Sequence, residues 1–275
     1  MGAAMVQGIG VAGNMRIASA WIRLWNEEGI RARAFDPRGI AASAPGGTAT
    51  QDADSFRNGL KTLFVCTDDL LECENLLIDG PAFARTAPDL DTIVIAATLP
   101  PRFVKALRGR IRPQITLIDA PWSGTMRMAQ RGALTMLLGG PSDAVIALTP
   151  LLAPLTAATE RMGAFGSAMA AKVMKDFLAA SSTAMTRLAL DWAQAQGIEE
   201  RRLLNVIEAA RGSIASGADL PDHNPQIMPQ LSEGVMAALV KEVECAFDAA
   251  LTGASLTPPG ALRHVVTAAR GRPLH

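Results

Sequence analysis

The strongest constraint on this chain's fold is a series of short apolar runs, each closed by Gly, Pro, Asp or Thr and separated from the next by an amphipathic stretch. AAMVQGIG (3–10), ARAFD (32–36), TLFVCT (62–67), TIVIAAT (92–98), ITLIDAP (115–121) and LTMLLGG (134–140) read as strands, and MRIASAWIRLWNEEG (15–29) reads as a helix between two of them. Strands alternating with helices predict a doubly wound, mostly parallel sheet with helices on both faces. After about residue 165 the pattern changes. From Ser167 to Gln196 apolar residues recur at three, four and seven, through Val173, Met174, Phe177, Leu178, Met185, Leu188 and Trp192. A single helix of about 45 Å is expected there. Further helices are expected at 199–210, 229–251 and 259–270, with a Pro- and Gly-rich loop at 217–229. The expected architecture is an α/β domain over 1–164 and an all-helical domain over 165–275.

Within the first unit, Gly8-Ile9-Gly10-Val11-Ala12-Gly13 spells GxGxxG after the first apolar run and before the first helix. Glycines there allow a tight turn and close approach to a diphosphate, which the free N–H groups of the helix start then hold. The next strand ends at Asp36, where an acid binds a ribose 2′-hydroxyl. This combination predicts a Rossmann-type dinucleotide site built from Gly8, Gly10, Val11, Ala12, Gly13, Asn14, Met15 and Asp36. Asp36 favours NAD; Arg38, two residues on, leaves NADP open.

Composition removes other classes. The 26 basic and 26 acidic residues cancel, leaving no basic face for nucleic acid. Apolar runs of roughly ten residues or fewer fall short of the about 20 that a membrane span needs. No basic, apolar leader opens the chain, so a cytoplasmic location is expected. Cys66, Cys73 and Cys245 show no CxxC spacing, and no metal site is expected. Tyrosine is absent, which excludes a phenol as proton donor, and the three histidines supply a His-based mechanism poorly: His223 is expected in a polar loop and His264 on a C-terminal helix, in structural or exposed roles, and His275 is the last residue. Lysine is therefore the natural proton-transfer group for hydride chemistry.

Three segments carry a resemblance. Asp119-Ala120-Pro121-Trp122-Ser123-Gly124-Thr125, followed by Ala133-Leu134-Thr135-Met136-Leu137-Leu138-Gly139-Gly140, is similar to a DAPVSGG substrate motif and the strand after it. Gly166 to Asp176, GSAMAAKVMKD, is similar to a GxGxxxKxxNN catalytic motif, and Leu239-Val240-Lys241-Glu242 to a late KD pair. Together they resemble the β-hydroxyacid dehydrogenase superfamily of 3-hydroxyisobutyrate and 6-phosphogluconate dehydrogenases. The resemblance implies an NAD(P)-dependent oxidoreductase acting on a small β-hydroxy acid or related alcohol. Lys172 would be catalytic, Thr98 and Lys241 would lie beside the cofactor, and Ser123, Gly124, Thr125 and Asp176 would hold the substrate. Reduction of a ketone or imine, and a catalytically silent dinucleotide-binding module, are the alternatives.

The chain departs from those motifs at Arg16 (usually Gly), Thr125 (Gly) and Lys175-Asp176 (Asn-Asn). Asp176 follows Lys172 by one helical turn, so the two side chains share a face. An added carboxylate there is expected to favour the ammonium form of Lys172 and to repel a substrate carboxylate, unless it pairs elsewhere, for instance with Lys175. The apolar face of the long helix predicts a homodimer or larger assembly.

Overall fold

The computed structural model describes residues 8–38 and 49–215. Lys241, the three histidines, Cys245 and the helices expected at 229–251 and 259–270 lie outside the described residues. The chain forms two compact units, residues 1–178 and 179–275.

In the first unit, strand β1 (Ile9–Gly13) leads into helix α1 (Met15–Glu27), then β2 (Ala32–Phe35), β3 (Ala49–Thr50), α2 (Ala53–Arg57) and β4 (Thr62–Cys66). Helices α3 (Leu70–Glu74) and α4 (Phe83–Thr86) precede β5 (Thr92–Ile95), α5 (Pro101–Arg110), β6 (Thr116–Asp119) and β7 (Trp122–Ser123). The unit continues with α6 (Met126–Gln130), β8 (Leu134–Gly139), α7 (Ser142–Leu152), β9 (Thr156–Gly163) and the start of α8 (Ser167–Ala195). The nine described strands form one sheet in the order β3-β2-β1-β4-β5-β6-β8-β7, with β9 on β8. From β3 to β6 every pairing is parallel; β8 then runs antiparallel to β6 and β7. The doubly wound expectation is met.

Parallel strands covered on both faces read as near-continuous apolar runs, and β1, β4 and β5 do so after an opening threonine at most. On β4, Phe64 and Cys66 join one core with Trp21, Trp25, Ile118 and Leu148, while Leu63 and Val65 join the opposite core with Phe35, Phe56, Phe83 and Met169. Trp21, Trp25 and Phe64 pack edge-to-face or tilted at centroid separations of 5.2 to 6.1 Å, contacts worth about 0.5–1.5 kcal/mol per pair beyond their buried area. The Trp25 indole N–H donates to the Leu151 carbonyl over 2.7 Å, tying α1 to α7.

Two expectations need correction. The first strand is Ile9–Gly13, paired on both sides with β2 and β4, so Gly10 lies inside it opposite Arg33 and Leu63. Gly8 precedes the strand, and its carbonyl accepts the N–H groups of Lys61 and Thr62. Neither belongs to the turn into α1. That turn is Gly13-Asn14, with Gly13 at φ +113°. In addition, β9 was not anticipated; it is a mostly exposed, polar strand on the flank of β8.

In the second unit, α8 ends at Ala195, and Gly197 just beyond it reverses the chain at φ +77° while the Ile198 N–H donates to the Ala193 carbonyl. Helix α9 (Glu200–Ala215) follows.

Candidate active site

Parallel strands present their C-terminal ends to one edge, and β1 sits where the order reverses between β2 and β4. That crevice is where open α/β sheets bind ligands. Here it is a cleft of about 450 Å³ whose lining includes Asn14, Thr67, Asp68, Thr98, Ser123 and Lys172. Asn14 caps α1: its Oδ1 accepts the Arg16 N–H (3.0 Å), its Nδ2 donates to Asp68 (2.7 Å), and its own N–H donates to the Cys66 carbonyl. The cap joins the ends of β1 and β4. It leaves the other first-turn N–H groups of α1 without an intrahelical acceptor, as at any helix start.

Asp36, at the end of β2, is only 2% exposed. Its Oδ1 accepts the Arg38 N–H (2.9 Å), and its Oδ2 is buried with no partner. A buried carboxylate oxygen without a donor is costly, and a ribose hydroxyl is the donor that would satisfy it. An adenosine ribose therefore fits these residues, as a diphosphate fits the Gly13 turn, where a Cβ on Gly13 would meet the Cys66 carbonyl and Thr67.

Lys172 is 8% exposed and forms a salt bridge with Asp176; Lys175 donates to the other Asp176 oxygen at 3.2 Å. The hydrogen bond from Lys172 holds the Asp176 carboxyl below the usual carboxylate range, helped by Lys175. The lysine sits on α8, and Asp119 locates that helix. This fully buried carboxylate accepts the N–H groups of Gly166 and Met169, both at 2.7 Å. Burial raises the Asp119 carboxyl above its ordinary value, against the lowering by those N–H groups. The Met169 sulfur accepts the Leu99 N–H at 3.2 Å, fixing the Thr98 loop to the same helix. Ser123 Oγ is buried and unpartnered beside the cleft.

Of the residues expected from the sequence, the cleft brings together Asn14, Thr98, Ser123, Gly124, Lys172 and Asp176. Gly13 and Met15 flank it at the α1 turn. Val11 and Ala12 are buried strand residues, and Gly8 and Gly10 lie away from the turn. Thr125 is not on the cleft: its Oγ1 accepts the Met128 N–H (3.2 Å) as the cap of α6. Sequence reasoning passed over Thr67 and Asp68. Their position directly after β4, beside the strand where the order reverses, was the available signal. Among the described residues no group of His, Cys, Asp and Glu could hold a metal ion.

The family model for the NAD binding domain of 6-phosphogluconate dehydrogenase matches residues 1–166. The chain belongs to that family. It lies within the β-hydroxyacid dehydrogenase superfamily, and the chain is 30% identical over 123 residues to L-threonate dehydrogenase of Cupriavidus necator, covering 44% of this chain and 41% of that enzyme. It thus spans under half the length of that relative. NAD-dependent L-serine dehydrogenase of Pseudomonas aeruginosa is 27% identical over 229 residues, covering 80% and 76% of the two chains. The fold is shared with 3-hydroxyisobutyrate dehydrogenase of Mycobacterium tuberculosis, solved with L-serine, at a TM-score of 0.66 and 21% identity over 96% of this chain and 91% of that one.

Proposed function

We propose that this member of the family is an NAD-dependent oxidoreductase that interconverts a small β-hydroxy acid, or a related alcohol, and its carbonyl product. One observation carries the reading: the buried, salt-bridged Lys172 shares a cleft with the unpartnered Ser123 hydroxyl, at the strand ends where Asp36 and the Gly13 turn fit a dinucleotide. The nicotinamide ring, when bound, accepts or returns the hydride. In reduction the Lys172 ammonium gives a proton to the carbonyl oxygen; in oxidation the same group, after releasing that proton to solvent, takes the hydroxyl proton as the neutral amine. Asp176 holds Nζ in place, while Ser123 Oγ and the Gly124 loop hold the substrate's polar end.

Charge supports an acidic substrate despite Asp176. Lys172 and Lys175 both reach that carboxylate, so the three side chains sum to one positive charge, enough to attract a single carboxylate. The cofactor domain of this reading is 1–164 and the helical domain 165–275, and the family match ends at residue 166. A homodimer belongs to the same reading, supported by Met174 and Phe177, which are 57% and 64% exposed on α8. So does a cytoplasmic location, consistent with the free thiols of Cys66 and Cys73.

The test is NAD-dependent oxidation of L-serine, L-threonate and 3-hydroxyisobutyrate, followed by NADH absorbance alongside calorimetric binding of NADH. Turnover of at least one hydroxy acid is expected. Saturable NADH binding without turnover on any hydroxy acid or on the matching carbonyl compounds would leave a silent binding module and refute the enzyme.

A further inference from the structure

Among the described residues near the end of β2, Arg38 is the cation placed to welcome the extra phosphate of NADP, and its guanidinium is already held. It donates to Asp68 Oδ2 at 2.8 Å and to both oxygens of Glu72 at 3.0 and 3.1 Å, with a further Nε contact to Glu72 at 3.2 Å. Both carboxylates are fixed in turn. Asp68 accepts Asn14 Nδ2 on its other oxygen (2.7 Å), and Glu72 accepts the Asp68 main-chain N–H (3.1 Å) in the first turn of α3. The Glu72 side chain is 13% exposed, so water competes little for it. The Arg38 guanidinium is held firmly in its charged form, chiefly by the hydrogen bonds to Asp68 and Glu72.

These groups border a hollow of about 570 Å³ that opens between Pro37, Arg38, Asp68 and Glu72. Among its lining residues, Asp68, Asp69 and Glu72 carry three negative charges against the single positive charge of Arg38. The balance is −2, a field that a neutral pair of ribose hydroxyls tolerates and a phosphate dianion does not.

We infer that Asp68 and Glu72 set the cofactor preference of this chain: by clamping Arg38 they withhold from a 2′-phosphate the cation that lines the hollow among the described residues, and so reinforce the exclusion that Asp36 begins. The inference rests on the dinucleotide site proposed above. It assigns specificity to the segment after β4, whereas the usual determinant lies at the end of β2.

The experiment measures calorimetric dissociation constants of NADH and NADPH for the wild type, Glu72→Gln, and Asp68→Asn/Glu72→Gln, with folding checked by circular dichroism. The wild type should prefer NADH. The preference should fall about tenfold in Glu72→Gln and further in the double variant, as expected for removing a charge a few ångströms from a phosphate at moderate screening. Adding Arg38→Ala to the double variant should cancel the gain in NADPH affinity, because the freed guanidinium is its source. An unchanged NADH-to-NADPH ratio in the folded double variant overturns the inference while leaving the dinucleotide site intact. A gain that survives Arg38→Ala also overturns it. Failure of the wild type to bind either nucleotide overturns the site itself.

Discussion

Lys172→Met separates a proton-transfer role from a structural one. Methionine keeps the length and apolar stem of the lysine, so packing in a residue that is 8% exposed is largely retained. What is lost is the salt bridge to Asp176, whose side chain is 41% exposed and keeps Lys175 as a partner. A pair open to water on one side is worth about 0–1 kcal/mol, so unfolding in urea should shift by no more than that. Lys172→Ala, by contrast, also deletes buried methylenes worth about 0.8 kcal/mol each. The chemistry should respond far more strongly. Loss of a positioned acid or base slows the chemical step by about 10²–10⁴-fold, which is about 2.7–5.4 kcal/mol of barrier. NADH affinity should be unchanged, since Asp36 and the Gly13 turn are built from other elements. The assay pairs steady-state kcat on the best hydroxy acid with NADH calorimetry and urea unfolding. A folded Met variant that turns over within about threefold of wild type would show that Lys172 is a structural cation and that the proton moves elsewhere.

Two further outcomes follow from the glycines and from the buried carboxylate. A Cβ on Gly10 would lie 2.5 Å from Phe56 and 2.7 Å from Leu60, so Gly10→Ala should cost about 1–3 kcal/mol in urea unfolding and leave NADH binding by the folded protein intact. Gly13→Ala, strained at φ +113°, should cost a similar amount and also weaken NADH at least about tenfold, as read by calorimetry; equal binding losses in the two variants would return Gly10 to the cofactor turn. Because burial raises the Asp119 carboxyl, its protonated form favours the folded state: that stability is complete below the ordinary aspartate value of about 3.9 and is lost as pH rises through the raised folded value. Asp119→Asn should therefore be destabilised by about 1–3 kcal/mol at low pH, where one backbone N–H loses its acceptor, and the gap to wild type should narrow as pH rises. A gap that does not change with pH would remove Asp119 from that titration.

The legible parts of this fold were those where one physical requirement dominates. Strands β4, β5 and β6 are buried on both faces and write themselves as unbroken apolar runs, and α1 and α8 carry clear helical periods. The expected start of β1 differs from the observed one because the glycines at 8, 10 and 13 do not locally show which of them begins the turn. Only pairing with β2 and β4, invisible locally, shows that Val11 and Ala12 are strand and that the turn begins at Gly13. Strand β9 escaped because its residues, TAATERMG, are mostly exposed and show no apolar alternation; its pairing with β8 defines it. At the site, Lys172 and Ser123 were readable from local motifs. Asp68 and Glu72 were not, because their significance lies in a contact with Arg38 across 30 and 34 residues of chain.

The departures from the superfamily pattern become coherent once their contacts are considered together. Thr125, which takes the place of a second glycine, spends its hydroxyl on the first turn of α6, so it preserves the loop after Ser123 without adding a substrate contact. Lys175 and Asp176 take the place of two neutral asparagines, and taken singly each would alter the field at Lys172. Taken as a pair they bond to each other and sum to zero, so the net charge around Nζ remains that of Lys172 alone, as it would be with two asparagines. The local hydrogen-bonding character nevertheless changes. An asparagine offers a donor and an acceptor to a ligand, whereas Asp176 is acceptor-only and is already engaged by two ammonium groups. In the proposed function, substrate orientation would therefore fall more heavily on Ser123 Oγ, whose buried oxygen is without a partner, than on the helix position that the asparagines occupy in the family pattern.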